Sequence, residues 1–481
     1  MTVSTIFRKI DDYRWELPKT GAMRVPGLIY AAEKMLPKFE AERVAEQVSN
    51  VATLPGIVGY SLAMPDAHWG YGMPVGGVAA IRADDGVISP GAVGYDISCG
   101  VRLLRSDLLA RDIRPNLPKL MDALFRAVPS GVGSEGHLRL GKEEIKKVLK
   151  KGARWAVEKG YGEREDLELV EDGGWLEEAD PDLPSERALE RGRGQLGTLG
   201  SGNHFLELQE VEEIYDPGTA AVFGLFPGQL AVLAHTGSRG FGYQICTDFL
   251  RLMQDAARKY RISLPDRQLC CAPCGSREGR DYFAAMCAAA NFARANRQVI
   301  THSIRQAFMQ ILGQGSTALG LRVVYDVSHN LCKIEEHELG GAKLRLAVHR
   351  KGATRAFAAG RPEVPQAYRA VGQPVLVPGS MGTCSYVLAG TDIAMRETFG
   401  TTAHGAGRMM SRTQALKRVD GRELMAQLKG QGIEVRSASW RGLAEEAPFA
   451  YKDVSEVVAA CHGSGISRKV ARLRPIGVVK G

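Results

Sequence analysis

The sequence predicts an α+β fold, and three observations predict it. Apolar runs with strand character fall in clusters rather than singly. The helical stretches between them have irregular lengths, unlike the even strand–helix alternation of a doubly wound parallel sheet. No Gly/Ser- or Pro-rich linker divides the chain. A length of 481 residues would accommodate about three average domains, but without a divider 1–481 reads as one compact domain.

Taken in order, period-3.6 patterning marks helices over 33–49, 117–127, 142–159, 243–260 and 282–312, the last alanine-rich and long. Strands read over 76–82, 101–106, 204–210, 230–235, 321–327, 344–349, 374–377, 385–389 and 476–479, where apolar runs end at turn residues. Between them, 163–180 carries nine acidic residues against one arginine. Such a composition reads as a solvated loop at the periphery, because it would repel an anionic ligand.

Composition narrows the function classes. Apolar residues make up 44% and charged residues 24%, ordinary for a globular protein and wrong for a disordered or fibrous one. There are 62 Lys and Arg against 54 Asp and Glu, a net charge of +8. With 163–180 set apart the remainder is more basic still, which suits a polyanion such as nucleic acid. No run of about 18 apolar residues offers a membrane span. The charged start, Met1 to Trp15, lacks the apolar core of a secretory signal. Nine scattered cysteines then read as reduced thiols in the cytoplasm. Cys271 and Cys274 have the spacing of half a zinc site, but no second Cys/His pair completes it.

The chemistry-bearing residues lie in glycine-rich loops, where catalytic groups usually sit. Asp96 and Cys99 are three apart in one turn. His204, His235, His329 and His404 each stand at a strand end or in a Gly/Ser turn. One thiolate, one carboxylate and three imidazoles form a donor set for Zn, Mn, Fe or Co rather than Mg or Ca. Five donors exceed one tetrahedral site and suit two metals bridged by the thiolate. No Walker A and no dinucleotide fingerprint is present. Val377-Pro-Gly-Ser-Met-Gly-Thr-Cys-Ser385 instead offers closely spaced amides and hydroxyls for phosphate. In His404-Gly-Ala-Gly-Arg408 an imidazole could attack phosphorus; a glycine turn with a structural histidine accounts for those residues equally well.

Taken together, Pro65-Asp-Ala-His-Trp-Gly-Tyr-Gly72, Gly94-Tyr-Asp-Ile-Ser-Cys-Gly100, Gly200-Ser-Gly-Asn-His-Phe205, His235-Thr-Gly-Ser-Arg-Gly240, Asp326-Val-Ser-His-Asn330, His404-Gly-Ala-Gly-Arg408 and Glu446-Ala-Pro-Phe-Ala-Tyr-Lys-Asp453 resemble the RtcB family of GTP-dependent RNA ligases. The resemblance runs from about Met64 to Gly481. It implies an RtcB-like mixed fold around a deep metal- and nucleotide-binding cleft. It also implies joining of RNA 2′,3′-cyclic phosphate or 3′-phosphate ends to 5′-hydroxyl ends, as in tRNA splicing or RNA repair. By resemblance, Asp96, Cys99, His204, His235 and His329 bind two Mn²⁺, and His404 takes GMP from GTP. The nucleotide pocket it implies comprises Asn203, His204, Phe205, Leu206, Glu207, His329, Asn330, Val377, Pro378, Gly379, Ser380, Ser385, His404, Gly405, Ala406, Gly407, Tyr451 and Lys480, with Glu207 and Lys480 at the base. Arg239 and Arg408 are candidates for RNA phosphate. RNA, as tRNA halves or broken RNA, is the expected partner, with archease as an activating protein.

Overall fold

The computed structural model describes residues 6–481; the first five residues of the charged start lie outside the described residues. Two sheets organise the chain. The first has seven strands in the order Arg8–Lys9, Arg14–Leu17, Gly27–Tyr30, Ile57–His68, Val75–Arg82, Ala342–Lys351 and Asn330–Leu339. The second orders Arg322–Ser328, Gly100–Leu109, Gln229–Thr236, Phe205–Ile214, Arg468–Lys480, Ser385–Ala389 and Pro374–Val377, with Glu434–Ser437 pairing alongside Arg468–Lys480. Nearly all pairings are antiparallel, as the α+β reading requires; Gly27–Tyr30 on Ile57–His68 and Glu434–Ser437 on Arg468–Lys480 run parallel. The Arg322–Ser328 strand passes through the single residue His329 directly into Asn330–Leu339, so the chain crosses from one sheet to the other at His329.

The expected strands are all present, several of them longer than read. Arg468–Lys480 extends far beyond 476–479. Ile57–His68 was not expected as a strand, because Gly59 and Pro65 interrupt it. The ladder tolerates both where its register shifts, between Ile57 and Ser61 and between Ala63 and His68.

Helix Leu117–Ala127 matches its reading. The 142–159 stretch breaks into Lys142–Lys151 and Ala153–Glu158 at Gly152, whose φ of 58° and ψ of −137° end the first helix. The long helix Arg277–Leu312 is capped at both ends. The Ser276 hydroxyl accepts from the Gly279 amide at 3.1 Å, and Gly313 adopts the left-handed conformation just past the last turn. Against it pack Lys142–Lys151, Ala153–Glu158 and Arg239–Lys259, with Glu186–Gly192 lying on the last of these, burying Trp155, Phe241, Met253, Tyr282 and Phe292. Burying a large side chain of this kind contributes about 1.5–3 kcal/mol. No helix among the described residues is long and apolar enough to cross a membrane.

In the acidic stretch 163–180, Glu163, Glu165, Glu168, Glu177 and Glu178 are exposed, as its composition suggests, while three other acids tie it to the interior. Asp166 and Glu171 are buried. Asp166 accepts from Arg305 at 2.7 Å through both oxygens. Asp172 pairs with Arg294 at 2.6 Å and with Lys333 and Arg355. Glu171 accepts from the Ser328 amide at 3.0 Å, one residue before His329. Arginines on helix and strand, with Lys333, neutralise these three acids, which anchor the stretch to the body behind the cleft.

Candidate active site

Strand order converts distant residues into one donor cluster. The neighbouring strands Arg322–Ser328, Gly100–Leu109, Gln229–Thr236 and Phe205–Ile214 end at the same edge. They deliver His329, Cys99, His235 and His204 side by side; Val101 and Phe205 both lie opposite His235 in the ladders. Asp96 joins from the turn before Cys99. That turn is held by a left-handed Ser98 (φ 55°), whose amide donates to Asn330 O at 2.7 Å. The buried Arg297, paired with Asp326, donates to Ser98 O at 2.9 Å and Thr236 O at 3.0 Å.

The donor atoms converge. Cys99 Sγ lies 3.2 Å from His235 Nε2 and 3.4 Å from His204 Nε2. His204 Nε2 is 2.8 Å from Asp96 Oδ2, and His235 Nε2 is 3.1 Å from His329 Nε2. Two groups share Cys99: Cys99–His235–His329 and Asp96–Cys99–His204, each compact enough to hold a metal ion. Burial holds His204 below the ordinary imidazole range and His235 and His329 well below it, so the rings are neutral, the form that binds a metal. Burial, with Asp96 adding to it, pushes the Cys99 thiol well up. A dication between these donors would supply the positive charge that the thiolate needs.

His404 faces this cluster, its ring centroid 4.9 Å from that of His329. Its partner is a residue the sequence reading did not assign. Asp66 Oδ2 accepts from His404 Nδ1 at 2.7 Å, and also from the His404 amide at 2.9 Å and the Gly405 amide at 3.2 Å. Asp66 is fully buried. Against the upward pull of that burial, the His404 ring and amide hold its carboxyl below the usual range. With Nδ1 donating to Asp66, Nε2 keeps the lone pair, the requirement for a nucleophilic imidazole. Gly407 (φ 72°) lets the turn lie flat on Asp66: a Cβ there would stand 2.2 Å from Asp66 O.

A cavity of about 410 Å³ lies between the donors and the His404 turn. Asn203, Phe205, Asn330 and the turn Gly405 to Gly407 line it, as do Pro378, Gly379, Ser380, Tyr451 and Lys480. Five of the expected pocket residues do not line it: His204 stands among the metal donors, and four have side chains set back from the cavity. Leu206 packs into the core beside Leu104 and Val232, and Val377 into that beside Tyr386. Ser385 sits behind the loop, its hydroxyl accepting from Gln209 at 2.9 Å and from the Gly379 amide at 3.4 Å. Glu207 lies deeper, one oxygen accepting from Gln209 at 2.7 Å and the other buried without a partner. Burial raises its carboxyl to about 8 and lowers the Lys480 ammonium to about 8. Lys480 is held by Gly202 O at 2.5 Å and His204 O at 2.9 Å.

Two arginines have partners of their own. Arg408 binds the buried Glu446 at 2.9 Å and the Tyr451 hydroxyl at 3.1 Å. Arg239 donates to His204 Nδ1 at 3.0 Å. With Arg191, Arg412 and Arg441, Arg239 lines a second hollow of about 560 Å³, which reaches Asp96 and His204. The sequence missed Glu446 as it missed Asp66; its presence in the matched 446–453 segment was the only signal.

An α+β body that gathers a mixed thiolate, imidazole and carboxylate centre beside a carboxylate-oriented histidine defines a metal-centred enzyme scaffold. Residues 47–481 match the family described as tRNA-splicing ligase RtcB. The chain is 55% identical over 475 residues to the "tRNA-splicing ligase RtcB" of Thermococcus kodakarensis, covering 98% of each chain. It is equally identical over 483 residues to the protein of that name from Archaeoglobus fulgidus, covering 100% of both. It is also 55% identical over 438 residues to the "RNA-splicing ligase RtcB" of Mycobacterium tuberculosis, covering 90% of this chain and 100% of that one. The chain belongs to the tRNA-splicing ligase RtcB family.

Proposed function

We propose that this protein is an RNA ligase that joins RNA 2′,3′-cyclic phosphate or 3′-phosphate ends to 5′-hydroxyl ends, consuming GTP and using two Mn²⁺ ions. The observation that carries the reading is the Asp66–His404 pair facing the five-donor centre across one cavity. Asp96, Cys99, His204, His235 and His329 would hold the metals. Their sulfur, nitrogen and oxygen atoms fit ions that accept imidazole and also bind phosphate oxygens, as Mn²⁺ does. Bound there, the metals supply positive charge against developing phosphate charge.

The chain's own residues then divide the work. His404 Nε2 attacks the α-phosphorus of GTP; the bond to the β-phosphate oxygen breaks and pyrophosphate departs. Asp66 retains the Nδ1 proton throughout. An RNA 3′-phosphate oxygen next displaces His404 from the guanylate, leaving an RNA 3′-guanylyl pyrophosphate. The 5′-hydroxyl oxygen attacks the RNA phosphorus, GMP departs and the hydroxyl proton is released. A 2′,3′-cyclic phosphate enters after hydrolysis to the 3′-phosphate. Glu207, with its unpartnered oxygen, can accept from guanine N1–H and N2–H, with Lys480 at the other edge of the base. The amides of Gly379 and Ser380 are suited to phosphate, and Arg239 to the RNA backbone.

The partner is RNA, as tRNA halves or broken strands, and archease is the proposed activator; the reduced thiols suit the cytoplasm. Incubation with GTP labelled at the α-phosphate and Mn²⁺ tests the reading. A covalent label on His404, transferred to RNA bearing a 3′-phosphate, is expected. A protein that seals RNA without ever carrying label would refute the histidyl-GMP route.

A further inference from the structure

Beneath the Asp66–His404 pair lies a cation that the chemistry above does not use. Lys452 is 8% exposed. Its amide donates to Gly407 O at 2.9 Å, fastening the turn that carries His404. Its side chain runs under the other partner, and Nζ donates to Ala67 O, the residue after Asp66. The ammonium also sits 4.5 Å from the Phe39 ring centroid. Lys452 therefore ties the nucleophile's turn to its partner's strand with backbone and side chain at once.

We infer that Lys452 is a positioning residue for His404: its buried charge balances Asp66, and Asp66 then holds the imidazole in the attacking tautomer. The inference rests on the histidyl-GMP reading. The charged and titratable groups around it are few. Asp66 and His68 face it from Ile57–His68, Glu42 and Lys38 from the end of helix Leu36–Ala41, and His404 from the turn. Glu42 is half-buried with one oxygen unpartnered, so two carboxylates share one buried cation.

The consequence follows from proton placement. A buried carboxylate stripped of its counter-charge gains a proton readily. Once protonated, Asp66 would donate to Nδ1 rather than accept from it. The imidazole proton would then sit on Nε2, and the lone pair aimed at phosphorus would be gone. Lys452 excludes that state without touching the nucleotide.

The test uses the full-length, Mn²⁺-loaded protein and three variants: Lys452→Met removes charge and hydrogen bond, Lys452→Gln keeps a donor for Ala67 O without charge, and Lys452→Arg keeps the charge. The rate of His404 labelling by GTP should fall on the order of 10²-fold in Met and Gln, with the KM for GTP within about threefold. Raising the pH should restore the rate, because it regenerates the Asp66 carboxylate. Arg should recover most of it. Sealing of RNA supplied with a 3′-guanylyl pyrophosphate end, and bound Mn²⁺, should stay at wild-type levels in all three. In an Asp66→Asn background, Lys452→Gln should cost nothing further.

Wild-type labelling rates in Lys452→Gln overturn the inference. So does an equal loss of guanylylation and of pre-activated sealing, which would mark a merely structural lysine. If Lys452→Met fails to fold, Lys452→Gln decides alone. Absence of label in the wild type would bring down the histidyl-GMP reading and the inference with it, whereas label in the wild type isolates the Lys452 question.

Discussion

Asp66 Oδ2 stands 2.7 Å from His404 Nδ1 and receives the His404 and Gly405 amides as well. One oxygen thus fixes the ring, its tautomer and the turn that carries it. The other oxygen, Oδ1, is buried without a partner, so the ion depends on those three donors and on Lys452. Replacing Asp66 by Asn keeps the shape but removes the charge. We expect His404 guanylylation to slow by at least about 10²-fold, with metal content unchanged. Labelling kinetics with GTP check this; an Asn variant with the wild-type rate would show that the pair does not orient the nucleophile.

The sequence made some of this site legible and hid the rest, for physical reasons. Asp96 and Cys99 share a turn, so their convergence could be read from spacing. The three histidine donors could be read from their strand ends, because a sheet edge aligns such ends. Asp66 could not: it lies 338 residues from His404, inside a strand disguised by Gly59 and Pro65. In stretch 163–180 five acids are exposed, as composition suggests, but the anchoring of Asp166, Glu171 and Asp172 stays hidden until their distant basic partners are located. Arg294 and Arg305 lie in a helix whose alanine-rich pattern predicted burial without predicting partners. Leu206 and Val377 were assigned to the pocket with their loops, yet an alternating strand sends their side chains into the core.

Those three anchors bear on the stability of the whole stretch. Asp166 and Arg305 are both buried, with side-chain exposures of 3% and 4%. Removing one partner of such a pair leaves an uncompensated charge and costs about 3–5 kcal/mol. Asp166→Ala should lower the denaturant midpoint accordingly. Exchanging all of 163–180 for a Gly/Ser linker should prevent folding rather than leave guanylylation intact. A linker variant that folds and labels normally would show the stretch to be dispensable.

We expect Glu207 to set the pH dependence of GTP binding. Burial raises its carboxyl to about 8 in the empty pocket, so at pH 7 it is mostly protonated. The N1–H and N2–H of guanine favour the carboxylate, so the bound pKa is lower and binding releases a proton. Affinity should therefore rise with pH up to about 8. Lys480, lowered to about 8 by burial, then begins to lose its charge, so affinity should fall again at higher pH. Isothermal titration of GTP into His404→Ala across pH 6–9 measures this bell. Glu207→Gln should flatten the acid limb and weaken binding by about 1.5–3 kcal/mol; an unchanged limb would remove Glu207 from the base site.

Cys99 belongs to both donor groups, which makes it the residue whose loss should affect both metals. In Cys99→Ala, bound Mn²⁺ should fall for the pair rather than by one ion. The rise in melting temperature expected when Mn²⁺ binds the folded wild type should shrink towards zero. Metal analysis after desalting and a melting curve with and without Mn²⁺ provide the readouts. Wild-type stoichiometry in Cys99→Ala would exclude a bridging thiolate.

We expect the two halves of the reaction to separate at His404. It shares no donor atom with the metal groups, so His404→Ala should bind Mn²⁺ normally. Asp66 would lose its ring partner but keep the two backbone amides, so the fold should survive. Without an imidazole nothing can accept GMP, and both labelling and sealing of 3′-phosphate ends should vanish. RNA supplied with a 3′-guanylyl pyrophosphate end should still be sealed, since that step needs only the metals and the 5′-hydroxyl. The wild-type adduct should be labile in acid and stable in base, as a phosphoramidate is. A covalent GMP adduct persisting in His404→Ala would assign the nucleophile to another side chain.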